Sequence, residues 1–155
     1  MRCRAFLLLR NATIFGFRLA PILLVVYWIL LFTGTHLPNL PKIPAPKIEN
    51  IDKVQHFLGF GGLAFLLAWS IPRGCCGAWR KITLAAVIAV IYAAIDEYTQ
   101  QFVGRNTDIY DFVANGAGIV TALLFFWIID YLLFGNASPC PPVRKRASVL
   151  RPQSR

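Results

Sequence analysis

Two groups of polar residues stand where side-chain chemistry could be done. One is Asp52-Lys53-x-x-His56-Phe57; the other is Asp96-Glu97-x-x-Gln100 followed by Arg105, Asp108, Asp111 and Asn115. The chain is 57% hydrophobic and has only seven carboxylates, four of them between Asp96 and Asp111. Ionisable groups at the edge of a membrane segment are costly, so they face a bundle interior or a water-filled cavity. A histidine beside carboxylates can take or give a proton near neutral pH. His56, Asp96 and Glu97 are therefore the candidates for proton transfer. Asp52, Lys53, Gln100, Arg105, Asp108, Asp111 and Asn115 are the candidates for binding a substrate, with Arg105 suited to a phosphate or carboxylate. Carboxylates so crowded titrate as a unit.

The same residues admit plainer readings. Lys53 or Arg105 paired with Asp96 or Asp111 would tie helix ends together, and Asn115 could bond a neighbouring backbone. A metal site has the least support, because one histidine with scattered carboxylates matches no dedicated zinc or calcium spacing. No metal and no cofactor is expected. His36, in a proline-rich stretch, reads as solvated. Asp130 stands alone near the end of the last apolar run and reads as structural.

Four apolar runs must position these groups: Leu19 to Thr33, Phe57 to Ile71, Ile82 to Ile95 and Phe112 to Phe134. A spanning helix needs about 20 mostly apolar residues. The fourth run meets that outright, and the others need their flanks. The third is tightest, because its 14 residues rise about 21 Å against a hydrocarbon core of about 30 Å. That helix must continue through Asp96 and Glu97 towards Phe102 or begin near Ala78 and Trp79. The expected fold is all-α, an integral membrane bundle of four transmembrane helices.

Charge sets the expected orientation. Twelve of the sixteen lysines and arginines flank the first run, join the second to the third, or follow the fourth. The positive-inside bias places both termini and the central turn in the cytoplasm, and Asp52, His56 and the Asp96 to Asp111 stretch at the outer face. It also explains the net charge of +9 and the pI of about 9.9 without nucleic acid as a partner. Cys3, Cys75, Cys76 and Cys140 all map to the cytoplasmic side, where thiols stay reduced. No A-x-A site follows the first run, so a retained first helix is expected rather than a cleaved signal.

Residues 1–18 form a basic leader, 19–134 the membrane domain, and 135–155 a basic, disordered cytoplasmic tail suited to anionic lipid. Within the domain, residues 34–50 carry Pro38, Pro41, Pro44 and Pro46, which favour a stiff extended outer loop. Asp52, His56, Gly59 and Leu63 follow one helical face, and Asp111, Asn115, Gly118 and Ala122 another. Such faces predict two helices packed through glycine beneath a shared polar pocket.

The motif residues resemble the VanZ-like family of small integral membrane proteins. The resemblance rests on Asp52-Lys53-x-x-His56-Phe57, Asp96-Glu97-x-x-Gln100-x-Phe102, Gly104-Arg105, Asp108, Asp111, Ala114-Asn115 and Gly118. It covers about Asp52 to Gly118. Family members often have proline-glycine before the arginine, whereas Val103-Gly104-Arg105 is a residue shorter here. The resemblance implies a multi-pass protein of the bacterial cytoplasmic membrane with an outer-face motif, and the namesake is associated with low-level teicoplanin resistance. The combined expectation is a crevice that binds or modifies an envelope component such as a lipid-linked precursor or a lipoglycopeptide. Whether a reaction is catalysed stays open, as does oligomerisation. The alternative is a non-enzymatic scaffold or partner subunit whose motif is helix-packing glue. Transport is less expected, since four helices are few and no broken-helix repeat is evident.

Overall fold

The computed structural model describes residues 13–14, 17–37, 51–72, 77–104 and 108–134. A two-residue antiparallel pair, β1 (Thr13–Ile14) with β2 (Phe17–Arg18), leads into four helices. These are α1 (Leu19–His36), α2 (Ile51–Ser70), α3 (Gly77–Gln100) and α4 (Ile109–Phe134). A 3-10 turn, Gln101–Val103, extends α3 and closes on Gly104 at φ 77°, a left-handed position that suits glycine. The fold is all-α, as expected.

Among the described residues, three helices, α1, α3 and α4, are long and apolar enough to cross a membrane. The tight third run is lengthened at both ends, since α3 starts at Gly77 and continues through Asp96 and Glu97. The second helix lies between the other three, contacting α1, α3 and α4, and its pairing with α4 is the most extensive. Its face is spent on protein, so it needs less lipid-compatible surface and tolerates glycines and polar groups. Most of the lipid-compatible surface lies on the other helices: Val25, Ile29 and Leu30 on α1, Val87, Ile91 and Ile95 on α3, and Val120, Leu124 and Leu132 on α4 are exposed, against Ile51, Val54 and Leu58 on α2.

The core runs down the middle of the bundle. Phe60, Leu63, Ala64 and Leu67 of α2 meet Ala85, Ala89 and Ala93 of α3 and Ile119, Leu123 and Phe126 of α4. The alanines of α3 recur every four residues and present a smooth stripe. Trp28 of α1 packs edge-on to Tyr92 of α3 with ring centroids 5.0 Å apart, and Phe60 lies 5.7 Å from the same ring.

Glycine packing joins α2 to α4 as expected, with one correction of position. A Cβ on Gly118 would overlap the Phe57 carbonyl oxygen, and one on Gly61 would lie 3.1 Å from the Gly118 oxygen. The α2 glycine facing α4 is therefore Gly61. Gly59 faces α1 instead, where a Cβ would lie 2.8 Å from Leu31 Cδ1, and Gly62 faces Tyr27. The Tyr27 hydroxyl donates to the Gly59 carbonyl at 2.9 Å. At about 100° per residue, two positions along a helix change the neighbour.

The first helix runs three residues past its apolar stretch, through Gly34, Thr35 and His36. It stops because Leu37 precedes Pro38, which disfavours helical dihedrals; Leu37 is extended at φ −78°, ψ 113°. The remaining proline loop, the four cysteines, the basic tail and Arg105 lie outside the described residues.

Candidate functional site

The C-terminal ends of α1 and α3 and the N-terminal ends of α2 and α4 meet at one end of the bundle, carrying nearly all the predicted site residues. They form two hydrogen-bonded networks side by side, rather than one undivided cluster.

The first network joins α1 to α3 around Asp96, which is fully buried at 0% exposure. Thr35 donates to Asp96 Oδ1 at 2.9 Å, and Gln100 Nε2 donates to Oδ2 at 2.7 Å. His36 stacks on Phe32 and places Nε2 2.8 Å from Thr99 Oγ1, with Nδ1 3.7 Å from Asp96 Oδ1. The expectation that His36 is solvated in a loop is thus corrected: it ends α1 and packs against α3. Both Asp96 oxygens are engaged, which is how a carboxylate is kept at membrane depth.

The second network joins α2, α3 and α4 around His56, which is buried. His56 Nδ1–H donates to Asn115 Oδ1 at 3.1 Å, and Asn115 Nδ2 donates to Glu97 Oε1 at 3.2 Å. An amide oxygen only accepts and an amide nitrogen only donates, so Asn115 fixes the proton on Nδ1 and frees Nε2. Nε2 points towards Asp111, with Oδ2 3.9 Å away. Glu97 Oε1 lies 3.7 Å from His56 Nδ1, behind the amide.

Asp111 is buried too, and its Oδ1 accepts no hydrogen bond among the described residues. Lys53 Nζ is 4.0 Å from that oxygen and 3.5 Å from Asp108 Oδ2. Asp108 caps α4: its Oδ1 accepts the Tyr110 N–H at 2.9 Å and its carbonyl accepts the Asp111 N–H at 2.9 Å. Asp52 completes the arrangement one turn before His56, and the nearest ligand-capable atoms of Asp52, His56 and Asp111 all lie within 4.8 Å of one another.

A crevice of about 210 Å³ opens between α1 and α2 and touches both networks. Leu30, Leu31 and Phe60 form an apolar wall, and Thr35, Asp52, Gln55 and His56 a polar one. Thr35, His36, Thr99 and Gln55 were not anticipated. Helical spacing could have suggested Thr99, three residues after Asp96, but Thr35 and His36 come from a helix end that the prolines obscured. At the opposite end of the bundle Asp130 is buried and partnered rather than alone, and Lys81, also buried, places Nζ 4.9 Å from the Phe126 ring centre.

Comparison with curated proteins gives no match, and neither does comparison with solved structures. A family profile described as VanZ/LLP1 matches residues 9–130, which takes in all four helices nearly whole and every member of both networks. Together with three helices able to cross a membrane, that match makes this a membrane protein belonging to the VanZ/LLP1 family.

Proposed function

We propose that the polar end of the bundle faces the extracytoplasmic side of the bacterial cytoplasmic membrane, and that its crevice binds or modifies an envelope component with an apolar tail and a phosphate-bearing head. The observation that carries this is the crevice itself, which sets an apolar wall of Leu30, Leu31 and Phe60 against Asp52, Thr35 and a His56 whose Nδ1 is tied and whose Nε2 is free. A lipid-linked precursor has that amphipathic form, and ligand sites combine apolar walls with a few placed polar groups. His56 is the group for proton transfer if a bond is made or broken. Glu97 acts through Asn115 and is a positioning residue. Lys53 and Arg105 supply positive charge for the head, while Asp96, steadied by Gln100 on its own helix, holds α3 to Thr35 of α1. The charge bias of the flanks supports a multi-pass topology with both termini cytoplasmic.

Any resistance to teicoplanin would follow from occupancy of this crevice. The test is glycopeptide susceptibility in a sensitive bacterium expressing the chain, with His56→Ala and Gly34→Leu as variants and membrane abundance quantified. Gly34 lines the crevice, and a Cβ there would meet no described atom within 4 Å, so a side chain can be started there and extended into the crevice. Teicoplanin protection without vancomycin protection, lost in both variants at equal abundance, is the expected result. Retained protection in both variants would remove the crevice from the function.

A second reading, helix glue in a scaffold or partner subunit, is favoured by the complete satisfaction of Asp96. It predicts that Asp96→Asn lowers abundance and activity together, whereas His56→Ala spares both.

A further inference from the structure

An anionic head would enter a site that is itself acidic. Asp52, Glu97 and Asp111 lie close around His56, Lys53 stands between Asp111 and the more distant Asp108, and close like charges repel strongly where water is scarce. The donor atoms suggest how this is relieved.

Asp52 and His56 are four residues apart on α2 and share a face, while Asp111 enters from the first turn of α4. The α2–α4 contact begins at Phe57, directly after His56, continues at Gly61 and Gly118, and holds the helices in register. Ligands around a first-row cation at about 2.0–2.2 Å stand about 3–4 Å from one another. The 3.9 Å from His56 Nε2 to Asp111 Oδ2 already meets this, and the 4.8 Å bound on the whole set closes with a small rotation of half-exposed Asp52.

Two further observations point to a ligand. Asp111 Oδ1 is buried and accepts no hydrogen bond among the described residues, with its side chain 8% exposed. Lys53 does not fill that role, since its nitrogen sits nearer the exposed Asp108 carboxylate. His56 is also oriented as metal-binding histidines are, with the non-coordinating nitrogen donating to an oxygen that is itself held, here Asn115 backed by Glu97.

We propose that Asp52, His56 Nε2 and Asp111 form a binding site for a divalent cation, Zn²⁺ or Mn²⁺, with Asn115 as its positioning residue. One imidazole and two carboxylates suit these ions. Three protein ligands leave a coordination position open, which a phosphate oxygen of the head can take. The inference rests on the crevice reading above, because two of the three ligands, Asp52 and His56, line that crevice, and it gives an anionic head a cation to meet there.

The test uses the full chain, purified in nanodiscs and stripped with EDTA. Titration with Zn²⁺, Mn²⁺ and Co²⁺ should show one equivalent bound, a raised Tm and, for Co²⁺, a visible absorption band. Asp52→Asn, at a half-exposed position, and Asp111→Asn should each weaken binding at least about tenfold, and Asn115→Ala about 10–100-fold, in protein whose unfolding temperature without metal matches wild type. Asp130→Asn, at the far end, should bind like wild type. No uptake by folded wild type, or undiminished uptake by both aspartate variants, would overturn the site. Vesicles carrying a polyprenyl phosphate separate the two claims. Lipid binding equal with and without the cation would remove the cation and leave the crevice reading intact; cation uptake without lipid binding would keep the site and remove the phosphate-bearing head.

Discussion

The Thr35 hydroxyl donates to a carboxylate oxygen of Asp96, linking the last turn of α1 to the last turn of α3 across sixty-one positions of sequence at 2.9 Å. Replacing Thr35 with valine preserves shape and removes the donor. We expect Thr35→Val to lower stability by about 0.6–2 kcal/mol, the range for hydrogen bonds between membrane helices. Thr35→Ser should behave as wild type. Thermal unfolding in detergent measures both; identical unfolding of Thr35→Val and wild type would mean that Gln100 alone suffices for Asp96.

Asn115 is fully buried between His56 and Glu97 and serves both. Asn115→Leu leaves His56 Nδ1 and Glu97 Oε1 without this partner, which should cost about 1–3 kcal/mol for each stranded group. The readout is abundance and unfolding temperature, and an unaffected variant would show that the imidazole is held by packing alone.

Glycines 116 and 118 differ by two positions and should differ sharply in tolerance. A Cβ at Gly118 would collide with the backbone of Phe57, which cannot swing aside as a side chain can, whereas a Cβ at Gly116 would meet no described atom within 4 Å. Gly118→Ala should destabilise by about 1–3 kcal/mol through overpacking. Gly116→Ala should be neutral or slightly stabilising, because alanine is the better helix former. Equal melting of the two variants would contradict the close approach of α2 and α4.

Asp108 was expected to bind substrate, yet its Oδ1 holds the Tyr110 N–H. If capping is its role, Asp108→Ala should cost about 1 kcal/mol and Asp108→Asn nearly nothing, since asparagine caps as well. Teicoplanin susceptibility at matched abundance then separates the roles: loss of protection in Asp108→Asn would mean that its charge serves the crevice as well.

The sequence made the helices legible because membrane depth and hydropathy leave few choices. It also pointed to most residues of the candidate site, because Asp52, His56, Asp96 and Asp111 are conspicuous among apolar neighbours. It did not divide them. Asp96 and Glu97 are adjacent in sequence but about 100° apart around α3, so one turns to Thr35 and the other to Asn115. Thr35 and His36 were hidden for a related reason. The prolines after them read in the sequence as a break from Gly34 onward, whereas α1 runs on to His36 and stops where Leu37 precedes Pro38. The partner of a glycine is likewise a question of angle. Gly59 and Gly61 carry the same chemical signal and face different helices.

The central placement of α2 bears on how the chain is built. By length and composition α1, α3 and α4 can each enter a bilayer independently, whereas α2 carries glycines and an aspartate, a lysine and a histidine in its first two turns. During synthesis α2 emerges after α1 and before either of its other neighbours. Its early stay in the membrane depends on what α1 offers: the Tyr27 hydroxyl against the Gly59 carbonyl and the ring against Gly62. Tyr27 thus ties α2 to the helix made before it, and Gly118 of α4 closes on α2 from the other side. A chain released after α2 would hold that helix only loosely, and damage at Tyr27 would show as failed biogenesis before any loss of activity could be scored.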